Sequence, residues 1–456
     1  MMHVKLVVML FITKLQLDPM SLQKVTYKRD LRIKYSTDVA VFGGGLAGVG
    51  AACAAAKLGY SVLLVERLGW LGGNGTSGGV RGFCGETSGQ GDVFDEIIAD
   101  LEKFKAIEPH FFARNVFFRG RKYEHQYLVL VLEKIVRKLE VQLLLHTRFI
   151  DAIGSDGRIE TAIIAEREGI CGVQARYYID CTGEAEVCRA AGCKMKTGRV
   201  EDGLQLPMSV IGFYRKRGLL HRARNVPQDY YDWNRIKNRG EKPMTSFSRC
   251  GRYSRGIKIK IPGFDSTSSD SLTDAEIKGR KEIMRVLDYY QHKMHKNWEL
   301  DHLSPIIGIR EGSRVLGEYY LTVADCRAGR IFDDGIAVGH YPLDAHDPSD
   351  NKRTYILDKK DLRVPPYDIP LRSLIPKGMQ NLMVAGRNLS ADQLALSSAR
   401  VMTTCCAMGQ AAAISIDLAW KNDVEPVQVA LDMPEEIRSA VSDFNICLDH
   451  ELYQTD

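Results

Sequence analysis

Three glycines, Gly43, Gly45 and Gly48, stand in the order Gly-x-Gly-x-x-Gly, the spacing with which a turn presents bare backbone N–H groups to a pyrophosphate. Gly43 permits the tight turn, Gly45 keeps a Cβ out of the phosphate's path, and Gly48 lets the following helix lie close on its sheet. Leu46 and Ala47 belong to the same phosphate-facing turn. Glu66 follows about twenty residues later, where a carboxylate can accept hydrogen bonds from ribose hydroxyls and would disfavour a 2′-phosphate. Other residues are suited to a substrate. Arg310 and Arg314 are four residues apart, so one helix face, or a turn leading into a strand at Glu318–Val323, could aim both guanidinium forks at a carboxylate or a developing oxyanion. His340 and His346 are the best general acid or base candidates by their ordinary pKa. For each of these four, structural ion pairing or a surface position is an equal reading.

The elements that must position these groups are legible around them. Asp38–Phe42 is a β-branched and apolar run, Val49–Leu58 is alanine-rich and helix-forming, Gly59 stops that helix, and Val62–Val65 is a second buried strand. Strand, glycine loop, helix, strand and acid in this order make a dinucleotide-binding βαβ unit. A second glycine-rich loop, Arg67–Cys84, follows at once and contains Gly72, Gly73, Asn74 and Thr76. A nicotinamide dehydrogenase has no need of such a loop, whereas a flavoprotein uses one to run backbone along the pyrophosphate and under the isoalloxazine.

On these two loops the chain resembles the glutathione-reductase-like superfamily of FAD proteins. Within it, the match is to the broad family of FAD-dependent oxidoreductases, which is similar to the flavoprotein subunits of fumarate reductase. The resemblance spans about Thr37 to Trp420 and implies FAD, held by Gly43, Gly45, Leu46, Ala47, Gly48, Glu66, Arg67, Gly72, Gly73, Asn74 and Thr76. It implies further contacts: Phe149 at the adenine, Thr182 and Gly183 where Asp180-x-Thr-Gly returns to the sheet, and Gly386 at the end of the last strand. The small-residue helix Ala399–Ala413 would point its N-terminus at flavin N1 and C2=O, with Gly409 and Gln410 at the cofactor and Arg400 as the charged partner of the reduced ring. Ala413 stands where the family more often has glycine. The segments bearing Arg310, Arg314, His340 and His346 are similar to a family signature of paired arginines and a later histidine.

The expected fold class is α/β: a Rossmann-like FAD-binding domain of glutathione-reductase type, with a parallel sheet and a small antiparallel sheet, and an inserted α+β substrate or cap domain. Residues 1–35 read as a leader and edge strand, 36–205 and 366–425 as the discontinuous FAD-binding domain, 206–365 as the cap, and 426–456 as a helical tail. Long amphipathic helices are expected at Tyr127–Leu139 and Ala275–Trp298, and a hairpin sheet over Asp151–Ala175. A chain of 456 residues can bury a large core, and a net charge of +5 with interspersed signs does not point to nucleic acid. Arg and Lys interleaved with Tyr230, Tyr231, Trp233, Phe247 and Tyr253 read more simply as a solvated cap face, or as a cationic mouth for an anionic substrate. Eleven cysteines without a Cys-x-x-Cys pair signal neither metal nor cluster and fit a reducing compartment; Cys188 and Cys193 flank a predicted helix end, and Cys405 and Cys406 are adjacent, all read as packing residues. Leu6–Ile12 is too short to span a bilayer and lacks a cleavage site, so the expected location is the cytoplasm, with export through a weak N-terminal signal as the alternative.

The activity these readings imply is hydride transfer between a small-molecule substrate, an anionic one among the candidates, and flavin N5. No second Gly-x-Gly-x-x-Gly lies in the middle of the chain, so a built-in nicotinamide domain is not expected and an external electron donor or acceptor is. The alternatives are a flavin monooxygenase and an FAD-carrying electron-transfer subunit of a larger complex. A homo-oligomer is a further expectation; no nucleic-acid or membrane partner is.

Overall fold

The computed structural model describes residues 28–113, 118–218, 221–227, 245–250, 254–349 and 354–454. The expected leader up to residue 27, and Tyr230, Tyr231, Trp233 and Tyr253, lie outside them, as does the side chain of Phe247. The first strand, Ile33–Phe42, pairs in parallel with Val62–Val65 on one side and with Gly169–Asp180 on the other. Its opening residues, Ile33–Thr37, pair on one side alone, but the strand they open lies inside the sheet, between Val62–Val65 and Gly169–Asp180. Gln142–Leu144 extends the sheet beyond Val62–Val65, and Leu382–Val384 pairs in parallel with the end of Gly169–Asp180.

The expected hairpin sheet is not separate. Gly169–Asp180 is 12 residues long, and its first half takes Arg158–Glu166 as an antiparallel neighbour while its last residues belong to the parallel layer. Arg148–Ser155 continues that antiparallel wing, so seven strands form one sheet.

Between the sheet and the long helix Met402–Asn422 lies the helix Leu46–Lys57, whose first ten residues are all buried. Alanine favours the helix, and the small side chains let the two helices approach closely. A Cβ on Gly50 would overlap the Cys406 carbonyl and one on Gly409 the Ala47 carbonyl. Met402–Asn422 does not start at residue 399 as expected. The shorter helix Gln393–Ala399 precedes it at 91°, with Arg400 and Val401 at the bend. Among the described residues no single helix is long and apolar enough to cross a membrane.

A second core gathers around a four-stranded antiparallel sheet in the order Thr245–Cys250, Ser254–Ile261, Met208–Lys216, Trp298–Leu303. The helix Ser269–Asp288 packs on it through Ile283, Val286 and Leu287, begins where the Ser268 hydroxyl accepts from the Ser271 N–H, and gives way at Tyr289 to a wider turn rather than running on to Trp298. Val315, Leu321, Leu343 and Val364 join the first core instead. Near the C-terminus, the helices Pro426–Asp432 and Pro434–Asp443 also pack there, and Arg438 and His450 both reach buried Asp368, at 3.1 and 2.8 Å.

Candidate functional site

A cleft of about 310 Å³ opens at the C-terminal ends of the parallel strands, where open α/β sheets bind ligands. One wall is the first glycine loop. Gly43 has φ +100°, and a Cβ on it would overlap the Cys181 carbonyl; one on Gly48 would overlap the Gly43 carbonyl. Both glycines therefore serve the turn itself. Gly45 differs: its backbone is extended, and a Cβ there would meet no heavy atom within 4 Å, because it would project into the cleft. As N-cap of Leu46–Lys57 it supplies no side-chain cap, so the first N–H groups of that helix are left for a ligand.

Glu66 fixes this loop from beneath. Its buried carboxylate accepts from the Gly44 N–H at 2.6 Å and the Leu68 N–H at 2.8 Å, and it lines the cleft where further lone pairs can take ribose hydroxyls. The second glycine loop lies against the first through the Gly72 N–H to Gly44 carbonyl bond at 2.7 Å. Left-handed Gly72 and Gly73, with Asn74, then carry backbone along the cleft.

At the other end of the cleft the 91° bend sets the N-terminus of Met402–Asn422, again without a side-chain cap. Met402, Cys405, Arg400 and Arg387 line this end, and the Nε atoms of Arg387 and Arg400 are buried with no hydrogen-bond partner among the described residues. Two uncapped helix ends, a Cβ-free approach at Gly45 and unpaired guanidinium nitrogens fit a long anionic dinucleotide.

Beside Arg400 lies a buried polar cluster. Asp344 joins it together: Oδ2 pairs with Arg400 Nη2 at 2.9 Å and Oδ1 with His346 Nε2 at 3.0 Å. Neighbouring His346, Arg400 and Arg310 hold the Asp344 carboxyl below its ordinary range despite its burial. Burial outweighs Asp344 at His346 and lowers its pKa to about 4. The neutral ring donates from Nε2 to Asp344, which leaves Nδ1 buried, with no partner among the described residues and able to accept. Arg310 is bound to the Pro207 carbonyl at 2.5 Å; burial lowers its pKa to about 10, opposed by Asp344 and assisted by Arg400. Lys258, on the second sheet, is also lowered by burial and by Arg310.

Of the residues expected at the cofactor, Gly43, Gly45, Leu46, Ala47, Glu66, Arg67, Gly72, Gly73, Asn74, Phe149, Thr182, Gly183 and Gly386 all line the cleft. Gly48 and Thr76 lie behind it; the Thr76 hydroxyl donates to the Leu71 carbonyl at 2.6 Å. Gly409 and Gln410 are corrected to structural positions. Gly409 permits the helix crossing, and the Gln410 amide accepts from the Val93 N–H at 3.0 Å and donates to the Gln90 carbonyl at 2.9 Å.

Among the expected catalytic residues, Arg310, His346 and Arg400 come together, whereas Arg314 and His340 do not. The chain from Ile306 to Arg314 is not helical, so spacing by four does not align Arg310 and Arg314. Arg314 is buried against Glu311 at 3.0 Å and donates to the Gly198 carbonyl at 2.7 Å. The expected strand Glu318–Val323 is absent; the helix Val323–Ala328 begins there, with Thr322 and Asp325 as a capping box. His340 is held away from the cleft: Nε2 accepts from the Glu86 N–H at 2.7 Å, Nδ1 meets the Val338 carbonyl at 3.1 Å, and the ring stacks on Tyr453.

Sequence reasoning missed Asp344, Lys258, Glu184 and Arg387. Arg387 directly follows Gly386 and pairs with Glu184, while Asp344 lies between the two histidines that were singled out. Position beside a recognised motif was the available signal for both.

Similar folds occur among solved structures. A geranylgeranyl bacteriochlorophyll reductase-like protein from Thermoplasma acidophilum is 14% identical, with 90% of this chain and 84% of that chain covered and a TM-score of 0.43. The p-nitrophenol 4-monooxygenase PnpA from Pseudomonas putida DLL-E4 is 12% identical, with 91% of each chain covered and a TM-score of 0.47. No curated protein matches the chain. The model of the FAD dependent oxidoreductase family matches residues 38–441, and the chain belongs to that family, as an FAD-dependent oxidoreductase.

Proposed function

We propose that this enzyme exchanges a hydride between FAD and a small anionic substrate held by Arg310, Lys258 and Arg400, with His346 as proton carrier. The observation that carries this reading is the cluster itself: three cations and a neutral histidine around Asp344, joined to the cleft through Arg400, which pairs with Asp344 and lines the cleft beside Met402. An anion entering here replaces water beside groups that burial has already desolvated, which strengthens each charge pair. His346 receives a proton at Nδ1, and Asp344, bound to Nε2, stabilises the imidazolium and fixes the ring. FAD supplies the hydride-exchanging chemistry when bound; Gly45, Glu66, Gly72, Gly73 and Arg387 would hold it, and the bare helix end at Met402 would favour negative charge on its reduced ring.

The narrower likeness to glutathione-reductase-type and fumarate-reductase flavoproteins belongs to this proposal, as does the role of residues 206–365 as a cap. An external donor or acceptor closes the redox cycle. The test is anaerobic mixing of the FAD-loaded enzyme with small carboxylates and other anions while the flavin absorbance is followed. Bleaching by an anion alone, lost in Arg310→Met with FAD content retained, supports the proposal. Bleaching by a reduced nicotinamide alone, accelerated by a second compound, identifies a monooxygenase instead. An electron-transfer subunit would show neither and would copurify with a partner.

A further inference from the structure

Cys188 and Cys193 meet through the way one short helix ends. The helix Glu186–Ala190 closes with the Gly192 N–H bound to the Arg189 carbonyl at 3.1 Å and the Cys193 N–H bound to the Cys188 carbonyl at 2.9 Å. Gly192 has φ +76°, which reverses the chain. This pair of bonds folds the sixth residue back over the first and brings their side chains into contact. Here both residues are cysteine, so the turn sets the two thiols beside each other. Cys188 is fully buried and Cys193 is partly exposed.

We propose that Cys188 and Cys193 are a peroxide-oxidisable dithiol that closes to an intramolecular disulfide behind the cofactor cleft. The Cys193 thiolate attacks one oxygen of hydrogen peroxide: an S–O bond forms, the O–O bond breaks, and the departing hydroxide takes a proton to become water. The Cys188 sulfur then attacks Cys193 sulfur; the S–S bond forms, the S–O bond breaks, and a second water leaves with the Cys188 proton. Two thiols have lost two electrons, and peroxide has gained them.

The two thiols are suited to unequal roles. The neighbouring Cys188 thiol lowers the Cys193 pKa, whereas burial pushes Cys188 well above the ordinary thiol range. The exposed partner is thus the better nucleophile and the inner one the resolving group. Cys405 and Cys406 lack this division: both are buried and both are pushed up.

The position gives the modification a reach beyond the turn. Asp180 Oδ2 accepts from the Val187 and Cys188 N–H groups, each at 3.0 Å, and the Thr182 hydroxyl accepts from the Glu186 N–H at 3.0 Å. Thr182, Glu186 and Arg189 line the cleft, so the dithiol sits one layer behind its wall.

The experiment treats the full-length FAD-loaded protein with hydrogen peroxide, blocks remaining thiols with N-ethylmaleimide under denaturing conditions, and maps tryptic peptides by mass spectrometry. Trypsin cuts after Arg189, so the disulfide joins peptides 177–189 and 190–194 into one species lighter by two hydrogens than the reduced pair. The expected result is that species in the wild type, its absence in Cys188→Ala, and trapping of Cys193 sulfenic acid by dimedone in that variant. Retained FAD in Cys188→Ala shows that it folds. The proposal is overturned if both cysteines stay maleimide-labelled, if Cys193 goes to sulfinic acid while Cys188 remains free, or if the linked species survives in Cys188→Ala through Cys181.

Discussion

Replacing Gly45 with alanine should separate the fold from cofactor binding. The residue has φ −68° and ψ −179°, which alanine adopts freely, and its Cβ would meet no protein atom within 4 Å. Alanine is a poorer helix N-cap than glycine, a loss of up to ~1 kcal/mol. The reduced entropy of the unfolded chain returns ~0.4–1 kcal/mol. The apo-protein should therefore keep its stability to within ~1 kcal/mol. The methyl group nevertheless fills the space through which backbone N–H groups reach a pyrophosphate, and the Kd for FAD should rise tenfold or more, ~1.4 kcal/mol at least. Gly48→Ala is the contrast. Its Cβ would overlap the Gly43 carbonyl, a backbone atom that cannot turn aside, and the expected loss of stability is ~3 kcal/mol or more. Urea unfolding of both apo-variants and fluorescence titration with FAD would measure the two effects. An unchanged Kd in Gly45→Ala, or destabilisation equal to that of Gly48→Ala, would refute the argument.

Glu66→Gln leaves one acceptor oxygen for two N–H groups, buried Gly44 and half-buried Leu68, so unfolding free energy should fall by ~1–3 kcal/mol and FAD should bind more weakly; an unaltered urea midpoint would contradict this. Arg314→Leu strands buried Glu311 and should cost ~3–5 kcal/mol, with the flavin reduction rate of the protein that still folds unchanged; a rate defect at full stability would return Arg314 to the active site. His125, His340 and His346 each have a folded pKa lowered to about 4 from 6.5, chiefly by burial. The unfolded chain binds more protons between these values, so stability is full above pH 6.5 and falls toward pH 4, by about 1.4 kcal/mol per pH unit for each histidine. Urea midpoints that stay level from pH 7 to pH 4.5 would be incompatible with three neutral buried rings.

The parts of the site legible in the sequence are those whose chemistry is local. Strand, glycine turn, helix and Glu66 follow one another in 29 residues from Asp38 to Glu66, and each glycine acts on its immediate neighbours. Gly386 was legible for the same reason, at the end of an apolar strand. Gly409 and Gln410 were misread because a small-residue helix face serves close helix packing as readily as contact with a ligand; here Gly409 faces the Ala47 carbonyl. Spacing by four at Arg310 and Arg314 implied a shared face only if the segment were helical, and it is not. Asp344, Arg400, Arg310 and Lys258 meet across long stretches of chain, and no local periodicity records such a meeting.

A crystal structure of the FAD complex is the most direct test of where this chain holds its cofactor. The account predicts pyrophosphate density against Gly45 and the start of Leu46–Lys57, the ribose at Glu66, and the flavin ring between the Met402 helix end and the Arg310, Asp344 and Arg400 cluster. Phosphate density away from Gly45, or a flavin ring at the opposite end of the cleft, would contradict it.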